Sequence, residues 1–342
     1  MDKLITFAIP SYNSGAFMHN CLDSILACGS EDIEIIIVND GSKDNTGEVA
    51  DGYCEKYPHI VRVIHQENGG HGEGVNQGMM NARGKYYKVV DSDDRLDTDE
   101  LCRVLCKIRE NEAAGTDIDM YVCNYVYVRV DTGERRPMSY SYAFPSETVC
   151  TWDDTKPFGP SKYLMMHSVI YRTQLLRDTG MVLPKHTFYV DNLYMYKPFP
   201  YVKSIYYIDS DLYLYYVGSE EQSVNETNLL KRIDQQILVT KLVIDSHDLN
   251  KIKEQSRRLY RHMLHELSLL ISICNVFLSI KGDRESVEKQ KDLWRYLYEK
   301  DPATYKKMRY FSMSALTHFP GKLGRKTTVG MYRVVNKIYK PN

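Results

Sequence analysis

The segment Tyr86-Tyr87-Lys88-Val89-Val90-Asp91-Ser92-Asp93-Asp94 decides how the rest of the chain is read. Its first half is β-branched and aromatic, the composition of a short strand. Its second half places three carboxylates within four positions. Charges that close repel one another and raise at least one carboxyl pKa unless a cation sits among them. Mg²⁺ or Mn²⁺ is commonly held by one or two carboxylates together with substrate phosphates, so a divalent cation is the natural guest. In an open parallel sheet, ligands bind beyond the carboxyl ends of the strands, where this cluster falls. The competing reading is an acidic helix start, because aspartate is favoured at caps and in first turns. An EF-hand is excluded, since Arg95 and Leu96 stand where a ligand and a glycine belong.

Upstream, Leu4–Ile9 reads as a buried strand that stops at Pro10 and is followed by Ser11-Tyr12-Asn13-Ser14-Gly15. A helix is expected from about 16 to 27, with Phe17, Cys21, Leu22 and Ile25 on one face. Ile33–Val38 reads as a second strand ending on Asn39-Asp40-Gly41-Ser42. A helix to about Tyr57 and a short strand at Val61–Ile64 follow. Strands alternating with helices predict a parallel α/β sheet with right-handed crossovers. Residues 66–78 are glycine-rich and are expected to form a loop that lets a nucleotide or sugar approach the backbone. They lack the third glycine of the dinucleotide fingerprint and the GKS/GKT of a P-loop.

Downstream, Met120–Val130 with a turn at Asp131-Thr132-Gly133 reads as a hairpin, so the sheet becomes mixed. Residues 137–160 hold four prolines and read as irregular. From about 228 the pattern turns helical, and Leu259, Met263, Leu267, Ile271, Cys274 and Leu278 step along one face. The expected division is 1–226 for the α/β domain and 227–342 for an all-helical extension.

Ordinary hydrophobic and charged fractions, 43% and 26% of 342 residues, describe a globular chain of about two domains. The 28 tyrosines suit half-buried strands and clefts that meet sugars or headgroups. After Asp301 there are nine basic residues and no acid; subtracting them from the net −1 leaves −10 over residues 1–301. The tail from Val329 to Lys340 alternates apolar and basic residues, a pattern for contact with an anionic membrane surface as well as for a solvated segment. Nucleic acid is excluded as a partner by the acidic body and the lack of a readout motif. The eight cysteines show no CxxC pair or finger spacing, and reduced thiols in the cytoplasm are expected. No signal peptide is expected before the first strand at Leu4. The longest apolar run, Leu267–Ile280, is interrupted by serines and an asparagine and is too short for the ~30 Å of bilayer hydrocarbon, so no membrane span is expected.

Four pieces stand in order, each after its strand: Pro10-Ser11-Tyr12-Asn13, Asn39-Asp40-Gly41-Ser42, Asn68–Gly78, and Asp91-Ser92-Asp93-Asp94. In this order and spacing residues 3–225 resemble the family 2 glycosyltransferases. The resemblance implies a GT-A fold, Rossmann-like with a mostly parallel mixed sheet, and an inverting transfer from a nucleotide-sugar donor. It implies that Pro10, Tyr12, Asn13 and Asp40 line the base and ribose site, with Asp40 accepting from a uracil-type N–H. Asn68, Gly70, His71 and Asn76 would border the nucleotide. The acidic cluster looks like the family's DxD motif, with Asp93 and Asp94 toward a Mn²⁺ or Mg²⁺ ion and Asp91 nearer the ribose or the ion's waters; the sequence leaves that division open. Family members place a general base in a Glu-Asp pair about a hundred residues on. Here Tyr189-Val190-Asp191-Asn192 keeps the aspartate and lacks the glutamate. Asp191 is therefore the expected base, and an N-cap for the following helix is the competing reading.

The implied partners are a UDP-sugar and a glycan or lipid-linked acceptor, in polysaccharide or glycolipid synthesis at the inner face of a membrane. Two rivals exist. A non-catalytic nucleotide-sugar binder would bind UDP without transfer. A sugar nucleotidyltransferase would need Arg or Lys in the loop after the first strand, and Ser11–Gly15 has none. His167 is expected to be a satisfied, half-buried histidine, with a place facing the acceptor as the competing reading, His262 and His265 to be structural, and Gln222-Ser223 to lie in a mobile loop.

Overall fold

Strand β1 (Lys3–Ser11) and strand β2 (Ile33–Asp40) form because runs of isoleucine, valine and phenylalanine can be buried on both sides of a sheet. The computed structural model describes residues 3–160, 162–218, 226–319 and 321–339, the last five of these by backbone alone. Gln222-Ser223 lies outside the described residues. The chain divides into two units: Met1–Lys156 with Leu164–Glu220, and Pro157–Tyr163 with Glu221–Asn342.

In the first unit β1 and β2 are joined by α1 (Met18–Leu26), and α2 (Thr46–Lys56) leads to β3 (Val61–Gln66). α3 (His71–Asn81) then leads to β4 (Gly84–Val89). A short strand β5 (Arg95–Leu96) and α4 (Thr98–Ala113) precede β6 (Met120–Val122), β7 (Tyr125–Arg129), β8 (Arg135–Met138) and β9 (Val149–Cys150). β10 (Val169–Arg172), α5 (Thr173–Asp178), α6 (Asp191–Tyr196), β11 (Ile205–Tyr207) and β12 (Tyr213–Val217) complete it. The main sheet has eight strands in the order β3-β2-β1-β4-β10-β6-β11-β9, and the second has four, β5-β12-β7-β8. β3, β2, β1 and β4 are parallel, while β10 runs antiparallel to β4 and β6. The register sets Ser11 opposite Asn39 and Asp40 opposite Gln66, so the turns after these strands share one carboxyl edge.

The expected hairpin from Met120 is divided. The turn at Asp131–Gly133 joins β7 to β8, but Met120–Val122 belongs to the main sheet, between β10 and β11. Asn124 makes the break. Its buried amide donates to Asp209 and Asp211 and accepts from the Tyr207 hydroxyl and the Tyr140 N–H. Those bonds turn the chain from one sheet into the other.

Asp119 anchors the junction of β6, β10 and β11. It accepts two bonds from the Arg172 guanidinium, the shorter at 2.7 Å, and bonds from the N–H groups of Lys203 and Ser204. Asp119→Ala strands that cation and both donors, so it destabilises the protein by about 2–4 kcal/mol. Urea unfolding followed by circular dichroism measures the loss.

The second unit is helical: α7 (Glu226–Lys231), α8 (Ile233–Ser246), α9 (Leu249–Gln255), α10 (Arg257–Lys281), α11 (Arg284–Lys300), α12 (Pro302–Tyr310), α13 (Met313–Leu316) and α14 (Gly321–Tyr339). Leu259, Met263, Leu267, Ile271, Cys274 and Leu278 of α10 are all buried. α10 extends well beyond the apolar run read from the sequence, and by length and composition it could cross a membrane. Two-thirds of its most apolar window is buried within the structure, which is how the central helix of a bundle behaves. His262 packs against Phe158 at 4.7 Å, and the His265 ring meets the Lys162 carbonyl at 2.8 Å. Both histidines thus tie the 157–163 segment to the helices. All eight cysteines are free thiols.

Candidate functional site

Asp40 closes β2, and its carboxylate is held by three donors: the Gln66 amide at 2.6 Å and the N–H groups of Gly69 and Gly70 at 2.7 and 2.8 Å. These bonds order the Glu67–Gly70 turn and fix the direction in which Asp40 can accept. Gly70 has φ of 83°, a left-handed conformation that glycine adopts without steric cost. Asn68 donates to the Asp40 carbonyl. Pro10 is buried at the end of β1, whereas the Tyr12 ring beside it is exposed. Asn13 accepts from Lys43 N–H and donates its own N–H to Ser42, joining the first two turns.

The glycine-rich stretch is not an open loop beyond Gly70. α3 begins at His71, and its glycines serve packing. A Cβ on Gly74 would come within 2.8 Å of Pro10, and one on Gly78 within 2.5 Å of Ala8 and 2.8 Å of the Tyr87 hydroxyl. Their absence lets α3 lie directly on β1 and β4. Asn76, expected at the nucleotide, is buried inside this contact. It donates to the Leu183 carbonyl and accepts from the Leu183 N–H, which fixes the segment leading toward Asp191. Its polar atoms are committed to that clamp.

The acidic cluster sits where β4 ends. Asp91 pairs with His71 at 2.8 Å. His167, delivered by the turn before β10, directs Nε2 to within 3.6 Å of Asp91 and 4.0 Å of Asp94. Ligand atoms of Asp91, Asp94 and His167 all lie within 4.8 Å of one another. Asp94 is buried and accepts from the Tyr213 hydroxyl and the Tyr216 N–H, both at 2.8 Å. Asp93 is exposed, and among the described residues it makes no ion pair. Burial raises the carboxyl pKa of Asp91, but the two imidazoles outweigh it and the net shift is downward. Asp93 and Asp94 are pushed up, first by desolvation and then by the Asp91 charge. Desolvation of His71 is likewise outweighed, by Asp91, Asp191 and Asp93, and its pKa rises.

This donor set fits a hard divalent cation. Carboxylate oxygens with one imidazole suit Mn²⁺ or Mg²⁺, and the repulsion that lifts Asp93 and Asp94 is what such a charge would cancel. His167 also fits. Its ring is buried, stacks on Tyr215 at 4.3 Å, and leaves Nδ1 without a hydrogen bond while Nε2 faces the acids. It is not the satisfied histidine that its sequence context suggests. Lys88, hidden in strand β4, is a second residue that periodicity does not reveal. Fully buried, its ammonium donates to the carbonyls of His167 (2.7 Å) and Val169 (3.3 Å) and lies 5.1 Å from the centre of the Tyr213 ring. Burial pushes its pKa down to about 8. It ties the His167 turn to the strand that presents Asp91.

Asp191 is the first residue of α6, and Val190 holds the cap position without a side-chain bond. Asp191 therefore does not cap the helix. Desolvation raises its pKa; His167 and His71 act against that rise, and Asp91 adds to it. Asp191 is thus close enough to His167, His71 and Asp91 to be perturbed by them. The segment before it holds His186 and Tyr189 at φ of 50° and 66°. Such non-glycine residues in the left-handed region cost on the order of 1–3 kcal/mol and cluster at functional sites.

A mostly parallel sheet with acidic turns gathered at one carboxyl edge, joined to antiparallel strands, defines the GT-A class of fold. S. aureus TarS 1-349 in complex with UDP-GlcNAc matches it with a TM-score of 0.67 and 20% identity, over 98% of this chain and 91% of that one. The mannosyltransferase PcManGT of Pyrobaculum calidifontis, in complex with GDP-Man and Mn²⁺, matches with a TM-score of 0.51 and 11% identity, over 100% of this chain and 89% of that one. Residues 6–174 match the family model "Glycosyl transferase family 2", and the chain belongs to that family. Glycosyltransferase GlyG of Streptococcus pneumoniae is 37% identical over 126 residues, 36% of this chain and 40% of its own length. The chain spans about half the length of the curated relatives it matches.

Proposed function

We propose that this protein is an inverting, metal-dependent glycosyltransferase that moves a sugar from a UDP-linked donor to a hydroxyl of a glycan or lipid-linked acceptor. The observation that carries the reading is the shared carboxyl edge on a family 2 domain, with Asp40 ending β2 and Asp91 and Asp93 following β4, and with Asp191 near enough to feel Asp91, His71 and His167. Asp40, with Pro10, Tyr12, Asn13, Asn68 and Gly70 around it, would receive the base and ribose. The UDP-GlcNAc held by TarS supports a UDP-linked donor, and the Mn²⁺ of PcManGT supports a metal.

Asp93, with Asp91 or Asp94 and His167, would hold the cation, which when bound supplies positive charge against the leaving diphosphate. His71 orients Asp91 through their 2.8 Å contact. Asp191, with its basicity raised by burial, would take the proton of the acceptor hydroxyl as it attacks the anomeric carbon. Attack opposite the leaving group inverts the centre, with no covalent enzyme intermediate. We place this chemistry at the inner face of a membrane. Support comes from α14, where exposed Leu323 and Val334 stand among Lys322, Lys326 and Arg333.

A thermal-shift panel of UDP- and GDP-sugars with Mn²⁺, followed by a UDP-release assay, tests the reading. UDP-sugars are expected to raise Tm more than GDP-sugars and to be turned over. Binding without turnover would establish the non-catalytic binder instead, and no response to UDP would remove the assigned donor.

A further inference from the structure

The helical unit contains a cavity of about 310 Å³ lined by Lys253, Arg257, Tyr260, Arg261 and Lys307. Three helices build it: α9 contributes Lys253, α10 contributes Arg257, Tyr260 and Arg261, and α12 contributes Lys307. The lining contains no acid. Among the described residues none of these four cations has a carboxylate within ion-pair distance, although the same unit pairs Lys289, Lys291, Arg295 and Lys300 with acids.

The dipoles of α9 and α12 favour Lys253 and Lys307, which stand in their last turns, but nothing comparable supports the two arginines. Arg257 and Arg261 lie one turn apart on the same helix face, where like charges repel. They also occupy the first turns of a 25-residue helix that has no acid in its first turn, so the helix dipole opposes them. Tyr260 is buried, and its hydroxyl accepts from Lys307 at 2.5 Å while the ammonium sits 4.4 Å from its ring centre. That pair holds one cation at the cavity wall, and the exposed Lys253, Arg257 and Arg261 surround the opening. The arginine pair, which repels in isolation, becomes favourable once an anion lies between the charges. Two guanidinium forks and two ammonium groups match a tetrahedral, multiply charged oxyanion better than a single carboxylate.

We propose that this cavity binds a phosphate group, as a phosphomonoester or phosphodiester, independently of the catalytic cleft. The group could be carried by a soluble molecule or by a phospholipid headgroup, and the test separates these sources. The full chain is compared with Arg257→Gln/Arg261→Gln, an exposed pair whose exchange leaves the fold intact. Titration with inorganic phosphate and glycerol 1-phosphate, against chloride at equal ionic strength, is followed by thermal shift and calorimetry. Saturable binding is expected in the wild type, weakened on the order of tenfold or more in the double variant. In parallel, both proteins are floated with phosphatidylcholine vesicles with and without phosphatidylglycerol. Phosphate binding lost in the variant, with flotation unchanged, identifies a soluble source. Loss of flotation as well identifies the headgroup. Equal binding of phosphate by both proteins, or a wild-type response no greater than that to chloride, overturns the proposal.

Discussion

Asp191→Asn is expected to lower sugar transfer by about 10²–10⁴-fold and to leave donor affinity nearly unchanged. The amide keeps the size and much of the hydrogen bonding of the carboxylate but cannot accept the acceptor's proton. Asp191 makes no cap bond at the start of α6, and the backbone N–H of Asn192 that its carboxylate accepts can be met by the asparagine amide oxygen instead. Its neighbour Asn192, which donates to it at 3.3 Å, can turn its amide to meet the new side chain. The raised pKa of Asp191 moves it toward the range in which a carboxylate abstracts protons well at neutral pH. The measurement is kcat for transfer beside donor Kd by calorimetry, for wild type and variant. Transfer within a few-fold of wild type removes Asp191 from the mechanism, and equal losses in kcat and donor affinity point to a collapsed cleft instead.

The second large effect is at Asp93. Asp93→Ala is expected to weaken Mn²⁺-dependent donor binding at least ~100-fold, because it removes a carboxylate proposed to hold the cation. Asp93 separates this question from folding better than its neighbour does. It is exposed and makes no ion pair among the described residues, whereas Asp94 carries the bonds from Tyr213 and Tyr216 and its removal would loosen β12 as well. Tm without ligand should therefore stay close to wild type. Calorimetry of UDP-sugar binding with Mn²⁺ and with EDTA reads the effect directly. If the wild-type protein binds its donor equally well in both, the cation has no part in donor binding.

Much of the catalytic unit could be read from short segments. The runs Leu4–Ile9 and Ile33–Val38 and the segment ending at Asp91 declare strands by composition alone, and each polar turn that follows marks a carboxyl edge. Parallel strands in register bring those turns together, so Asp40 and Asp91 were placed on one edge by their position along the chain. The glycines at 72, 74 and 78 were legible as unusual but not for their purpose. A missing Cβ looks the same in sequence whether it admits a ligand or, as here, a neighbouring strand or the 183–190 segment.

Other features depend on distant partners. Met120–Val130 has one continuous strand pattern, and only the four polar partners of Asn124 divide it between two sheets. Lys88 resembles any strand lysine until the His167 turn and the start of β10 supply the carbonyls that hold it in the interior. His167 has no local signal at all.

By itself, then, the sequence determined the α/β order, the carboxylates at strand ends and the helical second part, because burial periodicity and turn chemistry are local properties of a chain. Only the tertiary structure decided that His71 and His167 flank Asp91, that Asn76 clamps Leu183 rather than facing a nucleotide, and that four cations from three helices line one cavity. Those arrangements arise from crossovers and side-chain packing between segments far apart in sequence, and no pattern within a single segment encodes which distant atoms will meet it.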